Sequence, residues 1–63
     1  MAQLPRDKFL LSIKESAAYF GVGEKKLRVL AREHGERIAV MDGNRTLIKR
    51  TAMEQFLMDS SAI

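Results

Sequence analysis

Residues 12–34 read SIKESAAYFGVGEKKLRVLAREH, and this stretch has the pattern of two short helices separated by a glycine turn. Ser12 and Glu15 have the spacing of a capping box, in which each side chain accepts a hydrogen bond from the other residue's backbone and fixes the first helical turn. The helix is predicted to end at about residue 20, because Gly21-Val22-Gly23 breaks the pattern. Its apolar residues share one face: Ile13, Ala17 and Phe20.

A second helix is predicted from Glu24 to about His34. Four residues at helical spacing define the stripe that we expect to be buried: Leu27, Leu30, Ala31 and His34. The opposite face carries Lys25, Arg28, Val29 and Arg32. Gly35 follows at the position of a left-handed C-cap. Two helices joined by a three-residue glycine turn are typical of a helix-turn-helix.

The sequence beyond this pair predicts a hairpin and a last helix. Residues 38–41 and 46–49 are predicted strands, and the turn between them, 42–45, contains the favourable pairs Asp-Gly and Gly-Asn. Thr51 and Glu54 repeat the capping-box spacing, so Thr51 is the predicted N-cap of the last helix. A short strand is predicted over residues 9–11, ahead of the first helix.

The predicted order is a short strand, a helix, a turn, a helix, a two-stranded hairpin and a C-terminal helix. This order defines a small α+β domain, a winged helix-turn-helix, in which the hairpin forms the wing. We expect residues 1–63 to form one domain with loose ends at 1–8 and 60–63.

Length and composition favour a binding module over an enzyme. A chain of 63 residues has room for a single small core and little for an enclosed catalytic pocket. It has no cysteine, one histidine and scattered carboxylates, so we expect no metal site, no cofactor and no catalytic residues. No run of residues has the length and hydrophobicity of a membrane span or a signal peptide. We therefore expect a cytoplasmic protein that is not bound to a membrane.

Positive charge is concentrated in the middle of the chain. The net charge is +3, but residues 25–50 hold eight basic residues against three acidic residues, a local net charge of +5. Such a segment is consistent with a patch that faces a polyanion, and equally with an ordinary solvated surface. The helix-turn-helix favours the first interpretation.

The predicted ligand is therefore double-stranded DNA, with the second helix lying in the major groove. Arg28 is predicted to pair with a guanine edge and Val29 to contact a thymine methyl group, while Lys25 and Arg32 hold phosphates or bases. Lys26, at the edge of this face, is predicted to lie near a phosphate. Asn44 and Arg45 at the hairpin tip are predicted to reach the minor groove or the backbone. The last two predicted DNA contacts, to phosphates, are Lys49 and Arg50.

Four segments of this chain resemble excisionases from conjugative transposons and integrative conjugative elements: residues 12–20, 23–28, 41–45 and 48–50. The helix-turn-helix part is similar to that of MerR-type regulators as well. The resemblance implies a directionality factor without catalytic activity, which bends DNA and assists a tyrosine-family integrase in excising a mobile element. It also implies integrase contact through the tail after Leu57. With the small size, it implies a monomer in solution that binds DNA as several copies side by side.

Two alternatives have the same surface chemistry. A small winged-helix transcriptional regulator would contact DNA in the same way, although this chain lacks the long dimerisation helix of MerR-type regulators. The third possibility is an adaptor whose basic face binds an acidic protein. Salt-dependent binding to defined DNA would distinguish an excisionase or a regulator from such an adaptor.

Overall fold

The computed structural model describes residues 8–63, which form an α+β fold of three helices and three strands. The elements are β1 Leu10–Ser12, α1 Ile13–Phe20, α2 Glu24–His34, β2 Ala39–Asp42, β3 Arg45–Lys49 and α3 Arg50–Asp59, with a 3-10 turn at Gly35–Arg37. This order confirms the predicted winged helix-turn-helix. Of the predicted loose ends, residues 1–7 lie outside the described residues. Residues 60–63 follow the end of α3 and belong to no helix or strand.

The start of α1 has the predicted capping box. Ser12 Oγ accepts a hydrogen bond from the Glu15 N–H at 3.0 Å, and Glu15 Oε1 accepts one from the Ser12 N–H at 2.9 Å. These bonds satisfy two backbone donors that the first helical turn leaves without a partner. At the other end Gly21 adopts the left-handed conformation, with φ 71°, and its N–H donates to the Ala17 carbonyl. The turn into α2 therefore begins where the sequence predicts it.

The end of α2 departs from the prediction. Gly35 has a positive φ of 53°, but its ψ of −129° lies outside the left-handed helical region, so the predicted left-handed C-cap is wrong. The chain instead continues through the 3-10 turn, which the Ile38 N–H closes by donating to the Gly35 carbonyl at 3.1 Å. Because this turn uses Ile38, β2 begins and ends one residue later than predicted.

The three strands form one antiparallel sheet in the order β1-β3-β2. Ser12 pairs with Leu47, so α1 begins beside the middle of β3. In the hairpin the last pair is Asp42 with Arg45, which leaves a turn of only two residues, Gly43 and Asn44. The hairpin turn is thus tighter than the predicted four residues.

The capping box predicted for the last helix is wrong. Helix α3 begins at Arg50, and Lys49 occupies the N-cap position without a side-chain cap. The carboxylate of Glu54 is engaged elsewhere, because it accepts hydrogen bonds from Tyr19 Oη at 2.7 Å and Arg50 Nη1 at 3.2 Å. These contacts tie α1 to α3, and they hold Glu54 away from the backbone N–H that a capping box would require.

The core lies between the helices and one face of the sheet. The predicted stripe of α2 is confirmed for its three aliphatic residues, while His34 is half-buried with its ring 4.6 Å from the Phe56 ring. Burying a large aliphatic side chain contributes about 1.5–3 kcal/mol, so a small core of this kind supports a modest stability. The buried apolar residues are Leu11, Ile13, Leu27, Leu30, Ala31, Ile38, Ala39, Ile48, Met53 and Phe56.

A polar network joins β1, α1 and α3 on the side of the domain remote from the hairpin tip. Arg50 Nε donates to the Lys8 carbonyl at 2.7 Å, and the Arg50 backbone N–H donates to the Phe9 carbonyl at 2.7 Å. The hydrogen bond from Tyr19, followed by the contact with Arg50, lowers the pKa of Glu54. The contacts stabilise the ionised carboxylate, so the network favours a charged Glu54.

Glu15 occupies a second polar site beside this network. Lys8 Nζ donates to Glu15 Oε2 at 2.8 Å. This hydrogen bond is the largest cause of the lowered pKa of Glu15, and the bond from the Ser12 backbone is the next. The capping box and the ion pair therefore depend on the same ionised side chain.

Candidate nucleic-acid interface

Helix α2 presents a basic face to the solvent. Its buried stripe anchors it to the core, and this fixes the opposite side as exposed. As predicted, the exposed residues include Lys25, Lys26, Arg28 and Arg32. From residue 25 to residue 32 this face extends over roughly 10 Å, at a rise of about 1.5 Å per residue. A face of this length fits within the major groove of a DNA duplex.

Arg28 occupies the centre of this face. Its Nη2 lies 3.8 Å from Glu24 Oε1, one turn earlier on the helix, and the two side chains are 62% and 48% exposed. Exposed ion pairs of this kind are worth about 0–1 kcal/mol. The guanidinium can therefore leave Glu24 for a stronger partner at little cost.

Val29 is less exposed than the sequence predicts. It is half-buried on α2 rather than fully outward-facing. The remaining exposed part lies among basic residues, and its contact with a thymine methyl group stays a prediction.

The hairpin tip carries the other predicted contacts. Gly43 has a φ of 62°, and Asn44 has a negative φ, the pattern of a type II′ turn, which favours glycine at its first central position. Asn44 and Arg45 are exposed, and Arg45 Nη2 lies 3.4 Å from Asp42 Oδ2 in another exposed pair. The hairpin tip thus exposes an amide and a guanidinium group.

Two adjacent depressions lie between α2 and the hairpin, and their linings share Arg28 and Thr46. The cleft lies between the starts of α1 and α2 and the hairpin tip, and Arg28, Asn44 and Arg45 all line it. The trough lies between the rest of α2 and the strands β2 and β3, and Arg28, Arg32 and Lys49 line it. Because Arg28 lines both, the structure brings five of the nine predicted residues around one continuous surface. Lys25, Lys26, Val29 and Arg50 line neither depression.

Lys49 and Arg50 have partners inside the protein. Lys49 Nζ donates to the Glu36 carbonyl at 2.7 Å. The Arg50 side chain is 22% exposed and is bound to Lys8 and Glu54. Their predicted phosphate contacts remain predictions, and the structure gives both residues a role in holding the fold together.

The sequence interpretation missed Lys14 and Thr46, which also line the cleft. Lys14 is exposed on the first turn of α1, and Thr46 is half-buried on β3. Thr46 belongs to the hairpin itself, whereas Lys14 reaches the cleft because β1 pairs with β3 and so brings the start of α1 to the hairpin. This pairing joins residues far apart in the chain, so no local pattern reveals it.

Within residues 8–63, no helix combines the length and the hydrophobicity that crossing a membrane requires. The geometry defines a DNA-binding helix-turn-helix protein with a wing, and the helix-turn-helix domain family matches residues 10–61. The excisionase from transposon Tn916 of Streptococcus agalactiae serotype V is 40% identical over 58 residues, which cover 90% of this chain and 87% of that protein. The chain therefore belongs to the excisionase family, a non-enzymatic kind of protein, and the predicted resemblance is confirmed.

Proposed function

We propose that this protein is a sequence-specific excisionase that binds and bends DNA at the ends of a mobile element and assists a tyrosine-family integrase in excising it. The observation that carries this proposal is the position of Arg28, which lines both the cleft and the trough and so connects the basic face of α2 with the hairpin tip. A single duplex can contact both elements at once.

In the proposed complex α2 enters the major groove and the hairpin tip reaches the adjacent minor groove. Arg28 pairs with the O6 and N7 atoms of a guanine, the commonest specific contact of an arginine in the major groove. The half-buried Val29 contacts a thymine methyl group. Lys25, Lys26 and Arg32 hold the flanking phosphates, which position the protein without reading sequence.

The hairpin contacts complete this arrangement. Asn44 and Arg45 reach the minor groove or its phosphates, where an arginine gains from the negative potential of a narrow groove. Lys49 and Arg50 are proposed to contribute weaker phosphate contacts, because each has to share its charge with its present partners. Contacts in two neighbouring grooves can offset the cost of bending, which is on the order of 1–6 kcal/mol for a site of 20–30 base pairs.

The integrase is proposed to contact the end of α3 and the tail after Leu57. Met58 is 79% exposed and Ile63 is 46% exposed, so apolar side chains are accessible on this segment. We propose that the protein is a monomer in solution and that several copies bind side by side at an element end.

The test is a gel-shift titration with DNA from the element ends and from promoters beside the integrase gene, against a scrambled competitor at 50 and 200 mM salt. Selective binding at an element end is expected, with a steep decrease of affinity with salt (a slope of about −5 for roughly six phosphate contacts). An excision assay with purified integrase then measures whether the protein assists excision. Fluorescence energy transfer between the two ends of the bound fragment measures how far the DNA is bent.

Other outcomes of this titration point elsewhere. Selective binding only at a promoter would identify a transcriptional regulator. If the protein bound neither fragment in a salt-dependent way, the proposed function would be wrong and an acidic protein partner would become the leading candidate.

A further inference from the structure

We infer that the cleft seats one phosphate of the DNA backbone and that Lys14, on α1, is a further phosphate-binding residue. This inference rests on the proposed binding of DNA by α2 and the hairpin. It extends the interface to the first helix of the domain, which carries none of the residues assigned above.

The cleft collects positive charge from three separate elements. Lys14 comes from α1, Arg28 from α2 and Arg45 from the hairpin, and all three side chains are exposed where they line it. One carboxylate, that of Glu24, also lines the cleft. The lining residues therefore carry a net charge of +2, because three cations stand against one carboxylate.

The two carboxylates near the cleft neutralise little of this charge. Glu24 approaches Arg28 only to 3.8 Å, and Asp42 approaches Arg45 to 3.4 Å at the edge of the hairpin turn. Both pairs are exposed, and exposed pairs are weak because water screens them and the side chains lose entropy on pairing. A doubly coordinated anion between the basic residues would be favoured over either pair.

The position of the cleft identifies the anion. In the proposed complex α2 occupies the major groove and the hairpin tip the adjacent minor groove, and a sugar-phosphate strand separates these two grooves. The cleft lies between α2 and the hairpin tip, so the group that faces it is a phosphodiester. Asn44 adds to the lining an amide that can donate to phosphate oxygens. The Thr46 hydroxyl, which donates a weak bond to Met41 Sδ at 3.4 Å, can exchange that acceptor for a phosphate oxygen.

Lys14 suits a phosphate better than a base. Its ammonium group is a compact charge on a flexible stem, and it lacks the planar fork with which arginine recognises guanine. It lies on the first turn of α1, which the pairing of Ser12 with Leu47 brings next to β3. We therefore expect Lys14 to increase affinity for every DNA sequence equally.

The experiment compares the wild-type chain with Lys14→Gln on the specific fragment and on the scrambled fragment across a series of salt concentrations. Lys14→Gln is expected to weaken binding to both fragments by the same factor and to reduce the steepness of the salt dependence by about 1. At a slope of about 0.9 per phosphate contact, the ratio of wild-type affinity to Lys14→Gln affinity is expected to decrease about 3.5-fold between 50 and 200 mM salt. Lys14→Arg keeps the charge and is expected to restore the wild-type slope.

Ser61→Asp is the matched control, because it lowers the net charge by one on the exposed tail, whose proposed partner, the integrase, is absent from this DNA titration. It is expected to keep the wild-type slope, and all variants are expected to keep the wild-type unfolding temperature. If Ser61→Asp reduced the slope of the salt dependence as much as Lys14→Gln does, net charge alone would explain the effect and the inference would be overturned. An unchanged slope in Lys14→Gln would overturn it as well, with the proposed function intact, whereas salt-independent binding by the wild type would refute the proposed function itself.

Discussion

Arg28 and Arg50 belong to the same basic segment of the chain, yet they lie in opposite surroundings. Arg28 is 62% exposed and has one weak neighbour, Glu24, at 3.8 Å. Arg50 is 22% exposed and donates to the Lys8 carbonyl at 2.7 Å and to Glu54 at 3.2 Å. On the basic face of α2 the guanidinium group is thus accessible to a ligand, whereas at the start of α3 it links the residues before β1 to α3.

The comparison shows that a count of basic residues cannot distinguish a ligand-binding charge from a structural one. The distinction depends on which carbonyls and carboxylates the fold brings to each guanidinium. At Arg50 the nearest acceptors come from residue 8 and from the next turn of α3, whereas α2 packs with its basic face away from the rest of the protein.

Replacing Arg50 by methionine is the change expected to have the largest effect on stability. The variant keeps an apolar stem but loses the bonds to Lys8 and Glu54, and it leaves a carbonyl without its donor. Hydrogen bonds that involve a charged group contribute about 1.5–3 kcal/mol, so we expect a loss of about 1–3 kcal/mol in the free energy of unfolding. Urea denaturation followed by circular dichroism measures this loss.

Arg32→Met is the control from the other region. Arg32 is exposed on α2, so its replacement is expected to change the stability by less than about 0.5 kcal/mol. Equal destabilisation by the two substitutions would remove the distinction between the two regions.

Ser16→Ala is expected to stabilise the protein, by less than Arg50→Met destabilises it. The Ser16 side chain is fully buried on α1, and its hydroxyl has no hydrogen-bond partner among residues 8–63. Because a buried polar group without a partner is costly, alanine is expected to increase the free energy of unfolding by up to about 1 kcal/mol. Thermal unfolding of the two proteins decides the matter, since a marked destabilisation by alanine would show that the hydroxyl is satisfied in solution.

Acid is expected to lower the stability of the folded protein through Glu15 and Glu54, and by less than the substitutions at Arg50 and Ser16 change it. The pKa values of Glu15 and Glu54 are lowered in the folded protein, so both carboxylates bind protons more readily in the unfolded chain. Their contribution to stability is complete above the ordinary value of 4.5 and is lost as the pH decreases through the lowered values. The unfolding temperature should decrease over this range.

Glu15→Gln separates the two contributions to this acid sensitivity. Glutamine can keep the capping-box bond but cannot be ionised. The unfolding temperature of the variant should therefore depend less steeply on pH below 4.5. If the wild type and the variant showed the same acid dependence, Glu15 would have no part in it.

Local sequence signals predicted the helix-turn-helix because each of them acts within a few residues. The Ser12–Glu15 capping box, the end of α1 at the glycine turn and the three aliphatic residues of the α2 stripe are all confirmed. The basic face of α2 follows from its stripe. The sequence could therefore place the exposed charges of α2 correctly, without any knowledge of the sheet.

Two features that the sequence did not reveal arise where distant residues meet. Thr51 and Glu54 have the spacing of a capping box, but Tyr19, 35 residues away from Glu54, takes its carboxylate. Likewise, the pairing of β1 with β3 brings Lys14 to the cleft, and the spacing of residues along the chain does not show this. Both features depend on tertiary contacts that the local pattern does not contain.

The most direct test of the central claim, that α2 reads the DNA sequence and the hairpin supports it, compares Arg28→Ala with Arg45→Ala on the specific and scrambled fragments. Arg28→Ala is expected to weaken specific binding by about 1–3 kcal/mol, or about 5- to 150-fold, and to reduce the preference over scrambled DNA. Arg45→Ala is expected to weaken both by similar factors. If both variants bound the two fragments as the wild type does, the proposed docking of α2 and the hairpin would be wrong.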